Sequence, residues 1–346
     1  MKTRILFLIA VFILHHELFA QNDSTLQTIQ FDPKPSQILL SPILSANLIG
    51  SNQWEINIFN TLTTRNIENI RIQKRPFVDL YDTTITQNRF SYMENLIQIQ
   101  HGIPGLSRLN FGVDFYFSHV RGDSDINSSP FRVFGNNTET GSTYRDFSAI
   151  GPRIRWIPFR KLPELTVQGS VVFGVNDSIR QTLYGRDRTQ TLTQFTFYQR
   201  FRPWLYAFAQ TDVSVYLKND NYRNNTFSFP VFLFASANIW GLRSNAYPKL
   251  YALVSWSYAS RYDDNIRGED WLVKRSSESQ IGVGLLSQWN PQWGVTLWTQ
   301  KPIKYELGSA SNTVIPKSWY SLSLGIRYVW STKSNKQKQI QLQNDN

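Results

Sequence analysis

The sequence predicts an all-β chain folded as a transmembrane antiparallel up-and-down β-barrel of about twelve strands. Three observations carry that expectation. Apolar and polar residues alternate with period two along most of the chain, the connections alternate between short and long, and aromatic residues reach 14%, with 11 Trp, 16 Tyr and 23 Phe. The stretch "RLNFGVDFYFSHV" shows the alternation: Leu109, Phe111, Val113, Phe115 and Phe117 fall on one face, Asn110, Gly112, Asp114, Tyr116 and Ser118 on the other. A soluble sandwich would cover the apolar face with a second sheet. A closed barrel covers it with hydrocarbon, keeps polar groups or water inside and leaves no unpaired edge. The polar faces carry Asn, Gln, Ser, Thr, Gly and scattered charges, which favours the barrel.

Taken in chain order, residues 1–20 read as a secretory signal peptide: Lys2 and Arg4 precede an apolar run over 5–14, too short to cross a bilayer, and Ala20 precedes a polar stretch. Residues 21–52, with "DPKPSQILLSP", read as a periplasmic N-terminal segment or plug. The barrel is expected over 53–330, from a first strand in which Trp54, Ile56, Ile58 and Leu62 oppose Glu55, Asn57 and Thr61. A middle strand sets Leu165, Val167, Val171 and Phe173 against Thr166, Gln168 and Ser170, and the last is "WYSLSLGIRYVW"; a polar periplasmic tail follows over 331–346. The connections "IPGLS", "PFRKLPE", "RFRP", "GLRSNAYPK" and "NPQ" are short, whereas 63–88, 121–143, 260–279 and 300–317 read as long loops. With the N-terminus in the periplasm every long loop lands outside. Trp156, Phe159, Trp204, Trp240, Trp289, Trp293 and Trp330 sit near the short turns as one interface girdle, and Tyr258, Tyr262, Trp298 and Trp319 sit towards the long loops as the other.

The last strand holds "LGIRYVW", which resembles the terminal insertion signal of Gram-negative outer-membrane barrels, here Gly325, Tyr328 and Trp330. The stretches "NQWEINIFNTLTT" and "AIGPRIRWIPF" are similar to outer-membrane barrels of Bacteroidetes-type bacteria. The resemblance implies residence in the cell outer membrane, surrounded by its lipid and lipopolysaccharide, and insertion by the barrel-assembly machinery.

Chemistry has few footholds. Cysteine is absent, so neither a disulfide nor a lipid-modified cysteine anchor is available, and the net charge is +11. A barrel hydrolase needs a serine close to a histidine. Beyond the leader only His101 and His119 exist, and Ser124 is five residues past the latter. The one carboxylate cluster, Asp263, Asp264, Glu269 and Asp270, reads as a solvated loop. No zinc set, cofactor motif or nucleotide loop occurs, so no metal, cofactor or nucleic-acid partner is expected. The tripeptide "RGD" at 121–123 is discounted as chance.

Parity turns Glu55, Arg108, Asp114, Arg153, Arg155, Asp212 and Arg327 inward as lumen-lining candidates, together with the aromatic Tyr206, Phe208 and Tyr216. The arginines either favour anions or pair with the acids and fix the interior. Glu55 on the first strand and Arg327 on the last are expected to meet across the closing seam. Barrels of about eight strands are filled and those of about sixteen are open, so a narrow or obstructed lumen is expected. The sequence favours an outer-membrane channel, porin-like, for small anionic or amphipathic solutes. The alternatives are a surface adhesin or scaffold without transport, and a lipid hydrolase.

Overall fold

The computed structural model describes residues 48–50, 52–74, 81–104, 106, 108–159, 161–175, 188–202, 204–219, 224–240, 248–264, 272–290, 292–307 and 314–331. The leader, most of the 21–52 segment and nearly all of the tail lie outside them.

Twelve strands form the wall: β1 Gln53–Lys74, β2 Tyr81–Gly102, β3 Leu109–Asp123, β4 Gly141–Trp156, β5 Leu165–Gly174, β6 Gln190–Arg202, β7 Leu205–Tyr216, β8 Thr226–Trp240, β9 Lys249–Asp264, β10 Leu272–Gln288, β11 Trp293–Leu307 and β12 Val314–Ser331. Each pairs antiparallel with its sequence neighbours, and β1 pairs with β12 to close the barrel. Closure satisfies every wall strand from both sides, which is what a chain in hydrocarbon requires.

The period-two pattern becomes inside and outside. Along β3 Asn110, Asp114, Tyr116 and Ser118 are buried, whereas Phe111 is 46% exposed on the outer wall. Val254, Val283, Leu297 and Leu324 are likewise exposed outward, on β9 to β12. Water cannot face so continuous an apolar wall; the barrel belongs in a bilayer. Phe159, Trp204, Trp240, Trp289 and Trp293 project at the short-turn end. There Trp54, Trp330, Tyr328 and Trp293 stack across the seam at ring separations of 6.1, 5.6 and 4.4 Å.

Two expectations change. Most of the length expected as loop is strand. Over 63–88 the wall continues to Lys74 and resumes at Tyr81, and the connections after Asp264 and Leu307 are shortened in the same way. Strand pairing goes on past the bilayer, where water replaces hydrocarbon and no apolar face is needed. Of the long connections only 124–140 is a described loop, with a 3-10 turn at Pro130–Phe134.

Trp298, expected in the outer girdle, points inward and is 2% exposed. Even-numbered β11 positions face the lumen, and the indole lies against Gly282 and Gly284 of the neighbouring β10. A Cβ on Gly284 would lie 2.5 Å from Trp298 Cε3, and one on Gly282 would lie 2.6 Å from Cζ2. The Cβ on Gly284 would also lie 2.5 Å from the Leu297 carbonyl oxygen, so Gly284→Val is expected to displace the indole together with the β11 backbone beside it, at a cost of about 1–3 kcal/mol. Urea unfolding in detergent, with Trp298 fluorescence moving towards that of a hydrated indole, checks this. Trp319's side chain lies outside the described part. Arg108 lies in the turn just before β3, where its carbonyl accepts from Ile157 N at 3.1 Å.

Beyond the bilayer, Glu306 near the tip of β11 accepts from Lys304 Nζ at 2.6 Å, Ser277 Oγ at 3.1 Å and Lys274 Nζ at 3.4 Å. The Lys304 hydrogen bond, with help from Ser277, holds its carboxyl at about 2 against an ordinary 4.5. A depressed carboxyl contributes to the hairpin above 4.5 and loses that contribution as pH falls through about 2. The group is largely exposed, so salt screens the effect. Side-chain NMR of Glu306 should give a midpoint near 2 that rises towards 4.5 in Lys304→Ala.

Candidate functional site in the lumen

At the short-turn mouth Ile49, just before β1, is held inside the barrel. Asn110 clasps the Ile49 backbone, accepting from its N and donating to its O, each at 3.1 Å, and Ile49 is 4% exposed. Above this clasp lies a polar belt. Arg327 bridges the seam, its Nε and Nη2 donating to Glu55 Oε2 at 2.8 and 2.7 Å, while Asn57 Nδ2 donates to Glu55 Oε1 at 2.7 Å. Asp114 on β3 and Arg153 on β4 form a buried ion pair. Arg155 donates through Nε and Nη2 to Gln168 Oε1 at 3.0 and 2.7 Å. Gln168 hands the chain on to Gln194, whose Nε2 donates to Asp212 Oδ2 at 3.2 Å. Asp212 also accepts from Gln210 Nε2 at 2.7 Å through Oδ1.

The belt runs through β12, β1 and then β3 to β7, and it brings together Glu55, Asp114, Arg153, Arg155, Asp212 and Arg327, all inward. Arg153 and Arg327 face carboxylates and Arg155 donates to the amide of Gln168, so the three arginines share the belt with three acids. Asn57, Gln168, Gln194 and Gln210 carry no charge that marks them in the sequence as site residues, although their parity is inward.

Beside the belt the lumen turns apolar. Phe232, Phe234, Tyr251, Leu253 and Trp298 form one buried cluster, with Tyr206 and Phe208 against it; Phe59, Leu96, Tyr116, Ala149 and Val172 form a second. Leu286 on β10 packs against both, so apolar side chains from the two walls meet at one residue. The first cluster belongs to an aromatic track across β6 to β9 and β11. Tyr198 lies 5.8 Å from Tyr206 and 5.0 Å from Phe208, Tyr206 lies 6.0 Å from Tyr251, and Phe234 lies 5.7 Å from Trp298. Tyr216 stands apart, nearer the external end, with the Arg188 guanidinium 5.9 Å from its ring centroid.

The candidate catalytic groups do not converge. His119 faces outward, its ring 6.1 Å from that of Phe134, while Ser124 Oγ donates to Thr140 O at 3.2 Å. Asp263 accepts from Thr226 and Arg275 at 2.7 and 2.8 Å, and Asp264 from Asn225 at 2.6 Å. Glu269 and Asp270 lie outside the described residues, among which no three His, Asp or Glu gather as a metal set. Arg121 and Asp123 of the RGD tripeptide are buried and bonded to each other, Nε to Oδ2 at 2.7 Å.

An apolar outer wall with an aromatic edge, a polar interior and a closed up-and-down sheet define an outer-membrane β-barrel. No known protein family matches the chain, and no curated protein matches it. Among solved structures it is similar to an outer-membrane channel from Pseudomonas putida F1, at 10% identity over 83% of this chain and 98% of that one, with a TM-score of 0.53. It also aligns with the β domain of the Bordetella autotransporter BrkA, at 9% identity over 82% of this chain and 100% of that one, with a TM-score of 0.45. The first likeness is one of fold.

Proposed function

We propose that the barrel is an outer-membrane channel for small amphipathic solutes, narrowed by the apolar collar around Leu286. The observation that carries this is the aromatic track beside a polar belt. Aromatic faces take up the apolar part of a solute, while the glutamines and Asp212 offer hydrogen bonds to its polar end. The balance of the belt argues for amphipathic rather than simple anionic cargo, since Arg153, Arg155 and Arg327 share it with an equal number of acids, Glu55, Asp114 and Asp212. The channel from Pseudomonas putida F1 shares the fold and so is compatible with this function. Assembly through the barrel-assembly machinery remains part of the proposal and rests on Gly325, which is inward, and on Tyr328 and Trp330, which stack outward at the rim.

Proteoliposomes test it. Entry of a small aromatic alcohol or acid should exceed that of a sugar of equal mass, and Phe234→Ala with Tyr206→Ala should erase the difference while the barrel stays folded. Equal entry of both solutes into wild-type vesicles, or entry of neither, contradicts the proposal.

A further inference from the structure

The 124–140 loop does not fold over the lumen. It lies on the outer wall, its 3-10 turn contacting β2, β3 and β1. Three arginines pin it there. Arg121, 1% exposed, donates through Nη1 to Asn136 O at 2.8 Å and through Nη2 to Thr138 Oγ1 at 2.8 Å, while holding Asp123. Arg89 donates to the carbonyls of Ile126 and Ser128, and Arg145 to those of Phe134 and Gly135.

The side chains this arrangement presents are unusual for an exposed loop. Residues three apart on a 3-10 turn eclipse each other, so Phe131 and Phe134 share one side while Val133, 0% exposed, is the anchor. Phe131 and Phe134 are 59% and 47% exposed. Phe134 caps the outward row Phe111, Val113, Phe115, Phe117 and His119 of β3 through its contact with His119. A strand tilted in a barrel climbs about 2.5 Å per residue along the axis, so ten residues span the apolar band of about 25 Å. Counted from Trp54 and Phe111, the outward positions at the external edge of that band are Thr64 and Arg121. Elsewhere the external wall carries aromatics on its strands: Trp256 and Tyr258 stacked at 6.5 Å, Phe229 against Tyr262 at 5.9 Å, and Tyr320. On β1 to β3 those places hold Leu62, Thr64, Ser91, Met93, His119 and Arg121, and the loop brings the aromatics instead. Beside them a cavity of about 460 Å³ is lined by Arg132, Asn136, Thr138, Glu139 and Thr140, with Arg121 beneath.

We propose that this loop is a docking site for the phosphorylated sugar headgroup of an outer-leaflet glycolipid. Phe131 and Phe134 enter the acyl boundary, as aromatics at a bilayer edge do. Arg132 takes the phosphate in a charge-assisted bond, and Asn136, Thr138 and Glu139 meet sugar hydroxyls. The occupant follows from continuity: the same wall is bathed by lipid directly below, and at its external edge the exposed Arg132 stands beside Phe131 and Phe134 at the mouth of the cavity, where headgroups meet it first.

Native mass spectrometry of the intact barrel in detergent, with a bisphosphorylated lipid A as probe, tests this. The wild type should retain it over its dephosphorylated form by about fivefold or more. Arg132→Gln should remove that preference, and Phe131→Ala with Phe134→Ala should lower retention of both forms. All three sites are exposed, and heat-modifiable gel mobility verifies folding. Equal retention of the two lipid forms by the wild type overturns the proposal, as does a phosphate preference that survives Arg132→Gln.

Discussion

Leu286→Ala is expected to raise single-channel conductance in planar bilayers by about tenfold, the factor given by a barrier lowered by about 1.4 kcal/mol. Leu286 is the residue at which the two apolar clusters of the lumen meet. An apolar constriction stops ions because water leaves it, so shortening the one side chain that bridges it lets water in. Truncation removes about three carbons, worth about 0.8 kcal/mol each in transfer terms, which is enough to supply the assumed change in barrier. Leu285 is the control: it is the next residue along β10 but points outward and is 45% exposed. Leu285→Ala should leave conductance as it is. An unchanged current in Leu286→Ala, or equal effects at the two positions, would place the constriction elsewhere.

The second large effect is at the seam. Glu55 is 0% exposed and receives two hydrogen bonds from Arg327 and one from Asn57. Arg327→Leu removes the guanidinium that donates twice to this buried carboxylate, a loss of up to about 3–5 kcal/mol when burial is complete. The Arg327 side chain is 22% exposed, so the lower end of that range is expected. Replacing both residues with leucine removes the stranded charge, and the double variant should be more stable than Arg327→Leu alone. Urea unfolding followed by gel mobility checks the order. A double variant no better than the single one would show that the pair does not act as a unit.

Much of the barrel is legible in the sequence because one hydrocarbon-facing side leaves only one register for each strand; a slip by one residue would turn Phe111 and Phe115 into the lumen and Asp114 into lipid. The same parity brings Glu55 and Arg327 to one face on the two closing strands. Strand length was less visible. Above the bilayer β1 and β2 are held by their mutual ladder, and 63–88 lacks the apolar face that marks a wall segment. The height of Trp298 along its strand suggests the outer girdle, but its direction is set by parity and by Gly282 and Gly284 on the neighbouring β10. The collar was hidden for a different reason. "TFSFPVFLFASAN" is apolar on both faces, so alternation does not tell Phe232 and Phe234, which point in, from Leu233, which points out. Gln168, Gln194 and Gln210 carry no charge to attract notice, although they complete the belt around Asp212.

The central claim is that odd-numbered β3 residues touch hydrocarbon and even-numbered ones face the interior. The chain has no cysteine, so nitroxide labels can be placed singly from Leu109 to Val120 in proteoliposomes. Collision rates with dissolved oxygen should alternate, high at Val113, Phe115 and Phe117 and low at Asp114, Tyr116 and Ser118. A flat profile, or one with the high values at Asp114 and Tyr116, would contradict it.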